Sequence, residues 1–91
     1  MIVTLAEAKE YLRVDDTAED ATVETLLKAA QSLCEDVARL SSEEFEAAGD
    51  VAKMATLFTL GYLHEHREEA DHKGLTLTLR SLLDGVRKAA F

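Results

Sequence analysis

The sequence predicts an all-α fold, a small helical domain with two long central helices and shorter flanking helices, on three observations. Proline is absent and only four glycines occur while Ala, Leu and Glu are plentiful, a balance of propensities that favours helix over strand. Apolar residues recur at three- and four-residue spacings through two long stretches, the period of one helix face. At 91 residues, with 47% hydrophobic and 31% charged residues and no low-complexity run, the composition is that of one globular domain, 1–91. A chain this short buries roughly 60–65% of its surface, so an oligomeric partner is a natural supplement to its stability.

Thr4 followed by Glu7 fits a capping box, with Val3 placed for a hydrophobic staple. Leu5, Ala8 and Leu12 then share one side of a first helix over 4–13, flanked by Tyr11. Helices shorter than about 12–15 residues rarely hold alone in water, so this one must dock. The run at 14–17, VDDT, breaks the pattern and supplies caps, and Glu19 and Asp20 stand near the positive end of the next helix. Over 20–40, Val23, Leu26, Leu27, Ala30, Leu33, Cys34 and Val37 keep a helical period, with Glu24–Lys28 and Glu35–Arg39 spaced as i,i+4 pairs.

Residues 41–50 are expected to hold one or two helical turns capped by Ser41 and Glu44 and pinned by Phe45, followed by a turn at Gly49 and an N-cap at Asp50. The stretch 51–70 reads as the central helix, with Met54, Leu57, Phe58, Gly61 and Tyr62 along its core side and Leu60 and Leu63 widening that sector. A break is expected at 71–74, where Gly74 can adopt positive φ. Leu75, Leu77 and Leu79 alternate with Thr76 and Thr78 as in a short extended piece. A last helix capped by Thr78 would then run over 79–89 and bury Leu79, Leu82, Leu83 and Val86; a second reading starts that helix near Leu75. Gly85 weakens it by about 1 kcal/mol relative to Ala. The expected core is Leu12, Leu26, Leu27, Leu33, Met54, Leu57, Phe58, Tyr62, Leu82 and Leu83.

The net charge of -8 is unevenly spread: 4 basic and 13 acidic residues over 1–50, against 6 basic and 5 acidic over 51–91. An acidic first half repels phosphate, which argues against duplex reading by the chain alone. The opening Met1-Ile2-Val3 is too short for an apolar targeting segment, and no window approaches the roughly 18 apolar residues of a membrane helix. The single Cys excludes an intrachain disulfide framework; a product soluble in a reducing cytoplasm, without membrane contact, is expected.

Constellations that carry chemistry are weak. His64, Glu68 and His72 are spaced by four beside His66, but a metal site needs three or four well-placed ligands, and neither an HExxH arrangement nor further Cys supplies them. Asp15, Asp16, Glu19, Asp20 and Glu24 lack the spacing and central Gly of a calcium loop; helix-start electrostatics explains them. Cys34 falls on an apolar helix side with no adjacent base, as a buried thiol does. No glycine-rich phosphate loop occurs. Neither an enzyme, nor a cofactor, nor a metal is expected.

Three segments nevertheless carry a likeness: TLAEAKEYLRVD at 4–15, VETLLKAAQSLCEDVA at 23–38 and LGYLHEHRE at 60–68, joined by the Leu82-Leu83 region. In this order they resemble the phage head–tail connector proteins typified by the gp6-like connectors, also labelled possible DNA-packaging proteins, across nearly the whole chain. The third segment is similar to a family pattern in which an apolar helix ends in a Tyr, an Asn or a similar residue, and then Arg-Glu. Two positions depart from it: Gly61 stands where the family often has Trp, and the run 73–77 replaces a Pro-Phe-Gly-like turn.

The resemblance implies an architectural function. Such proteins form a ring of identical subunits below the portal, extend the DNA channel, help complete the head and retain the genome, and present a platform for the next neck or tail-completion protein. The implied partners are therefore further copies of the chain, the portal protein, that next neck component, and packaged double-stranded DNA passing without sequence reading. The implied location is the virion neck. Arg67, Glu68, Arg80, Asp84, Arg87 and Lys88 are the candidate interface or channel residues. Each also has a plainer reading as helix-end electrostatics or solubility. The alternatives are a small helical adaptor or regulator, antitoxin-like or anti-repressor, that binds one protein partner, and an acidic DNA mimic.

Overall fold

A computed structural model describes residues 1–66 and 72–86, and their regular elements are helical. They are α1 (Leu5–Leu12), α2 (Asp20–Ala38), α3 (Ser42–Ala47), α4 (Asp50–Glu65) and α5 (His72–Leu82), with a 3-10 turn at Thr17–Glu19 leading into α2. Helix starts follow from local chemistry. The Thr4 hydroxyl accepts from the Glu7 amide at 3.1 Å, and the Glu7 carboxylate accepts from the Thr4 amide at 3.0 Å. Ser41 and Glu44 make the same reciprocal pair at the start of α3. Val3 and Ala8, the two positions of the staple, are both fully buried in one apolar cluster. Asp16 opens the 3-10 turn by accepting from the Ala18 amide at 2.8 Å.

Two helix ends use residues that the sequence does not advertise. α1 stops at Arg13, φ 59°, and α2 at Arg39, φ 58°, both left-handed. The amide of the residue beyond each, Val14 and Leu40, reaches back to Lys9 and Glu35 carbonyls at 2.9 and 3.1 Å, completing a Schellman closure. The αL turn takes Arg39 out of the helical register, so the expected Glu35–Arg39 pair does not form; Glu35 accepts instead from the Gln31 side-chain amide at 3.0 Å. Glu24 and Lys28 do pair, at 3.8 Å on the exposed side. Gly49, φ +67°, rather than Asp50, is the N-cap of α4.

α2 and α4 form the central pair, and their seam is made of small residues. Ala30, Cys34 and Ala38 on α2 and Ala52, Ala55, Thr56 and Thr59 on α4 are fully buried. Two buried hydroxyls need partners, and the helix itself supplies them: Thr56 and Thr59 donate to the Ala52 and Ala55 carbonyls, each at 2.8 Å. Cys34 Sγ lies 3.3 Å from Thr59 Oγ1, whose proton is already committed, so the thiol is the donor. Burial pushes the Cys34 thiol above its ordinary pKa.

This seam corrects the expected core side of α4. Leu60 is buried, but Met54 and Phe58 are surface residues, 53% and 38% exposed. The large apolar residues would hold the helix axes apart, whereas Ala and self-satisfied Thr allow close approach. Of the other expected core residues, Leu27 and Leu83 are buried, and Leu12, Leu26, Leu33, Leu57, Tyr62 and Leu82 are half-buried around the clusters.

The stretch over 72–86 corrects a second expectation. No extended piece and no Thr78 cap form, because Leu75, Leu79 and Leu83 also stand four apart and bury one side of a helix that already includes His72. Leu77, the middle member of the strand-like alternation, is 57% exposed, and Thr78 donates back to the Gly74 carbonyl at 3.1 Å. Gly74 thus lies inside α5 rather than in a turn. α5 ends at Leu82, and residues 83–86 continue as turn, so Gly85 stands outside the helix. The central helix is described to Glu65, capped by His66, whose ring stacks on Tyr62 at 4.3 Å.

Candidate functional site

Among the described residues no group of three or more His, Cys, Asp or Glu is placed to hold a metal ion, and no helix is long and apolar enough to cross a membrane. Glu68 and the side chain of His72 lie outside what is described. Among the described residues, two surface places gather exposed apolar and charged side chains.

The first is an exposed apolar patch where α1 lies against α4. Two ion pairs fix α1 there. Lys53 on α4 reaches Glu7, and Lys9 reaches Asp20 at the start of α2 at 2.7 Å. The Lys53 ammonium, helped by the Thr4 amide, holds the Glu7 carboxyl below its ordinary 4.5. So anchored, α1 lays the Tyr11 ring over Gly61, where an added Cβ would stand 3.2 Å from Cε2 of the ring. Gly61 is thus where another side chain's ring approaches the helix, and the departure from Trp at this position leaves room for Tyr11. Tyr11, Met54 and Phe58, the first 50% exposed, line an open apolar recess around half-buried Leu57, with Asp50 and Lys53 at its edge. Exposed Asp50 and Glu65 border it on α4, while His64, with Nε2 unpartnered, and Arg13 line the recess beside Tyr11.

The second place is a groove between α2 and α5. Leu33 and Val37 form its apolar floor, Thr76 its α5 wall, and exposed Arg39, Arg80 and Asp36 its rim. Among the described residues neither Arg39 nor Arg80 makes an ion pair. The αL turn at Arg39 and the register of α5 together bring these two guanidinium groups to one groove, which their distance in sequence conceals.

Of the six residues singled out as interface or channel candidates, the structure describes two. Arg80 is exposed on the groove, and Asp84 is exposed in the turn after α5. Arg67, Glu68, Arg87 and Lys88 lie outside the described residues. Sequence reasoning missed the patch because it assigned Met54 and Phe58 to the core. The available signal was the Ala-rich and Thr-bearing stripe Ala52, Ala55, Thr56 and Thr59, which fits a close helix seam and leaves the large side chains outward.

The model of the family described as phage gp6-like head-tail connector protein matches residues 2–89, nearly the whole chain. The chain belongs to that family, and its role is that of a structural component of the phage neck. No curated protein and no solved structure matched it.

Proposed function

We propose that this member of the phage gp6-like head–tail connector family assembles as a homo-oligomeric ring between the portal and the tail or the next neck component. There it extends the DNA channel, helps complete the head and retains the packaged genome. The family match over residues 2–89 carries this reading. Two physical features support it: an apolar patch that the folded chain leaves uncovered, and a small domain for which association adds stability.

The ring would meet the portal on one side and the next neck protein on the other, with double-stranded DNA passing through. A conduit must not grip its cargo, because each neutralised phosphate adds salt-dependent affinity. A net charge of -8 suits passage without sequence reading. Arg80, Asp84, Arg67, Glu68, Arg87 and Lys88 are proposed to serve contacts with neighbouring subunits or the portal rather than catalysis. The test uses DNA-filled heads produced without this chain. They are expected to lose DNA and refuse tails, and addition of the purified protein is expected to restore both. Heads that retain their genome and accept tails without it would contradict the proposal.

A further inference from the structure

We propose that α1 is a lid over one half of the core, opening ahead of the rest of the fold, with the Glu7 carboxylate as its latch. The buried residues form two clusters along the α2/α4 pair. Cys34, Ala52 and Ala55 belong to one, which Phe45 of α3 closes together with Leu75, Leu79 and Leu83. Val23, Leu27, Ala30 and Leu60 belong to the other, and it is closed by Ala8 of α1 and by Val3 just ahead of that helix. α1 touches α2 and α4 but neither α3 nor α5, so its departure bares Val23, Leu27 and Leu60 and leaves the first cluster closed. Ile2, whose amide donates to Gln31 Oε1 at 3.1 Å, packs on both clusters and gives the lid a fixed point outside α1.

α1 has little to hold it besides charge. A helix of eight residues is not stable alone in water, so undocking and unfolding of α1 are one event. Within it only Ala8 is fully buried, and Leu5 and Leu12 are half-buried, whereas α5 sinks both Leu75 and Leu79. Two ion pairs make up the difference: Lys9 with Asp20 on α2, and Glu7 with Lys53 on α4. Glu7 is the latch because its other oxygen accepts from the Thr4 amide, so one proton weakens the start of α1 and its tie to α4 together. Lys53 is the charged group that reaches Glu7 from α4, with Asp50 one turn before it; Glu10 stands one turn further along α1, and Lys9 and Asp20 pair with each other. Because Lys53 holds the Glu7 carboxyl below its ordinary 4.5, the closed lid is favoured above that range and loses ground as pH falls through the folded value.

The test is native-state hydrogen exchange on the full chain, read amide by amide in low urea from about pH 7 to about pH 3.5, with rates corrected for intrinsic exchange. The α1 amides from Ala8 to Val14 are expected to open ahead of those in α2 and α4, and with a smaller dependence on urea. Leu79→Val, in the far cluster, is expected to lower protection in α2 and α4 and to leave that of α1 as in the parent. Glu7→Gln is expected to lower α1 protection roughly two- to five-fold at neutral pH, the range a part-exposed ion pair supports, and to flatten its fall in acid. The same opening and urea dependence for α1 as for α2 and α4, or a Leu79→Val effect shared by all three, would show a single cooperative unit and overturn the lid. Early opening of α1 with an unchanged pH profile in Glu7→Gln would overturn Glu7 as the latch.

Discussion

Glu7 does two jobs with one carboxylate, and the two can be separated. One oxygen closes the capping box on the Thr4 amide, and the other pairs with Lys53 across to α4. Glu7→Gln keeps a capping oxygen and removes the ion pair. The sign of the pH effect follows from its lowered pKa: between the folded value and the ordinary 4.5, the unfolded chain holds a proton there that the folded chain does not. Its contribution is therefore complete above that range and is lost as pH falls through the folded value. Thermal melts from about pH 7 to about pH 3 should show a shallower acid loss for Glu7→Gln than for the parent, beginning near pH 5; identical slopes would contradict the assignment. The left-handed arginines make a second case. An L-residue in this conformation costs about 1–2 kcal/mol that Gly does not incur, offset in part by a cation near the negative helix end. Arg13→Gly is expected to raise stability by about 0.5–1 kcal/mol in urea unfolding, and a loss of stability would show that Arg13 contributes more than a helix stop. Gly or Asn would have announced these stops in the sequence; Arg does not.

Among the helices, the instructive case is α4, because its apolar residues divide into two populations with opposite duties. Met54 and Phe58 keep a helical period and read as core. The structure leaves them exposed and buries Thr56 and Thr59, since a Thr hydroxyl can be satisfied by its own helix while a large side chain cannot fit a close seam. This is testable with two neighbours. Ala55→Leu should overpack the buried cluster between α2 and α4 and cost about 1–3 kcal/mol. Met54→Glu should change the stability of the monomer by no more than about 0.5 kcal/mol. Equal destabilisation by both would contradict the assignment of faces. α5 teaches the converse. The alternation Leu75, Leu77, Leu79 and the four-residue spacing Leu75, Leu79, Leu83 coexist in the same residues, and the flanking threonines favour the wrong period. Local pattern was sufficient where it carries its own hydrogen-bond chemistry, as at the Thr4/Glu7 and Ser41/Glu44 boxes. It was insufficient where the decision belongs to the partner helix.

For the molecule as a whole, the all-α class, the two long helices and the family were legible from propensity, period and the order of three segments. The exposed apolar patch and the α2/α5 groove were not. The patch lies on a face of α4 whose orientation only packing decides, and the groove joins Arg39 and Arg80 from helices that are separated in sequence by α3 and α4. The central claim is the proposal that this member of the connector family closes a ring of copies in the phage neck. The most direct measurement is native mass of the purified protein across a concentration series, with and without portal protein, followed by electron microscopy of any large species and repeated with Met54→Glu. The parent is expected to give closed rings with a central hole, and the folded Met54→Glu variant is expected to stay monomeric under the same conditions. A parent protein that remains monomeric even with portal present, or a compact dimer indifferent to portal, would contradict it.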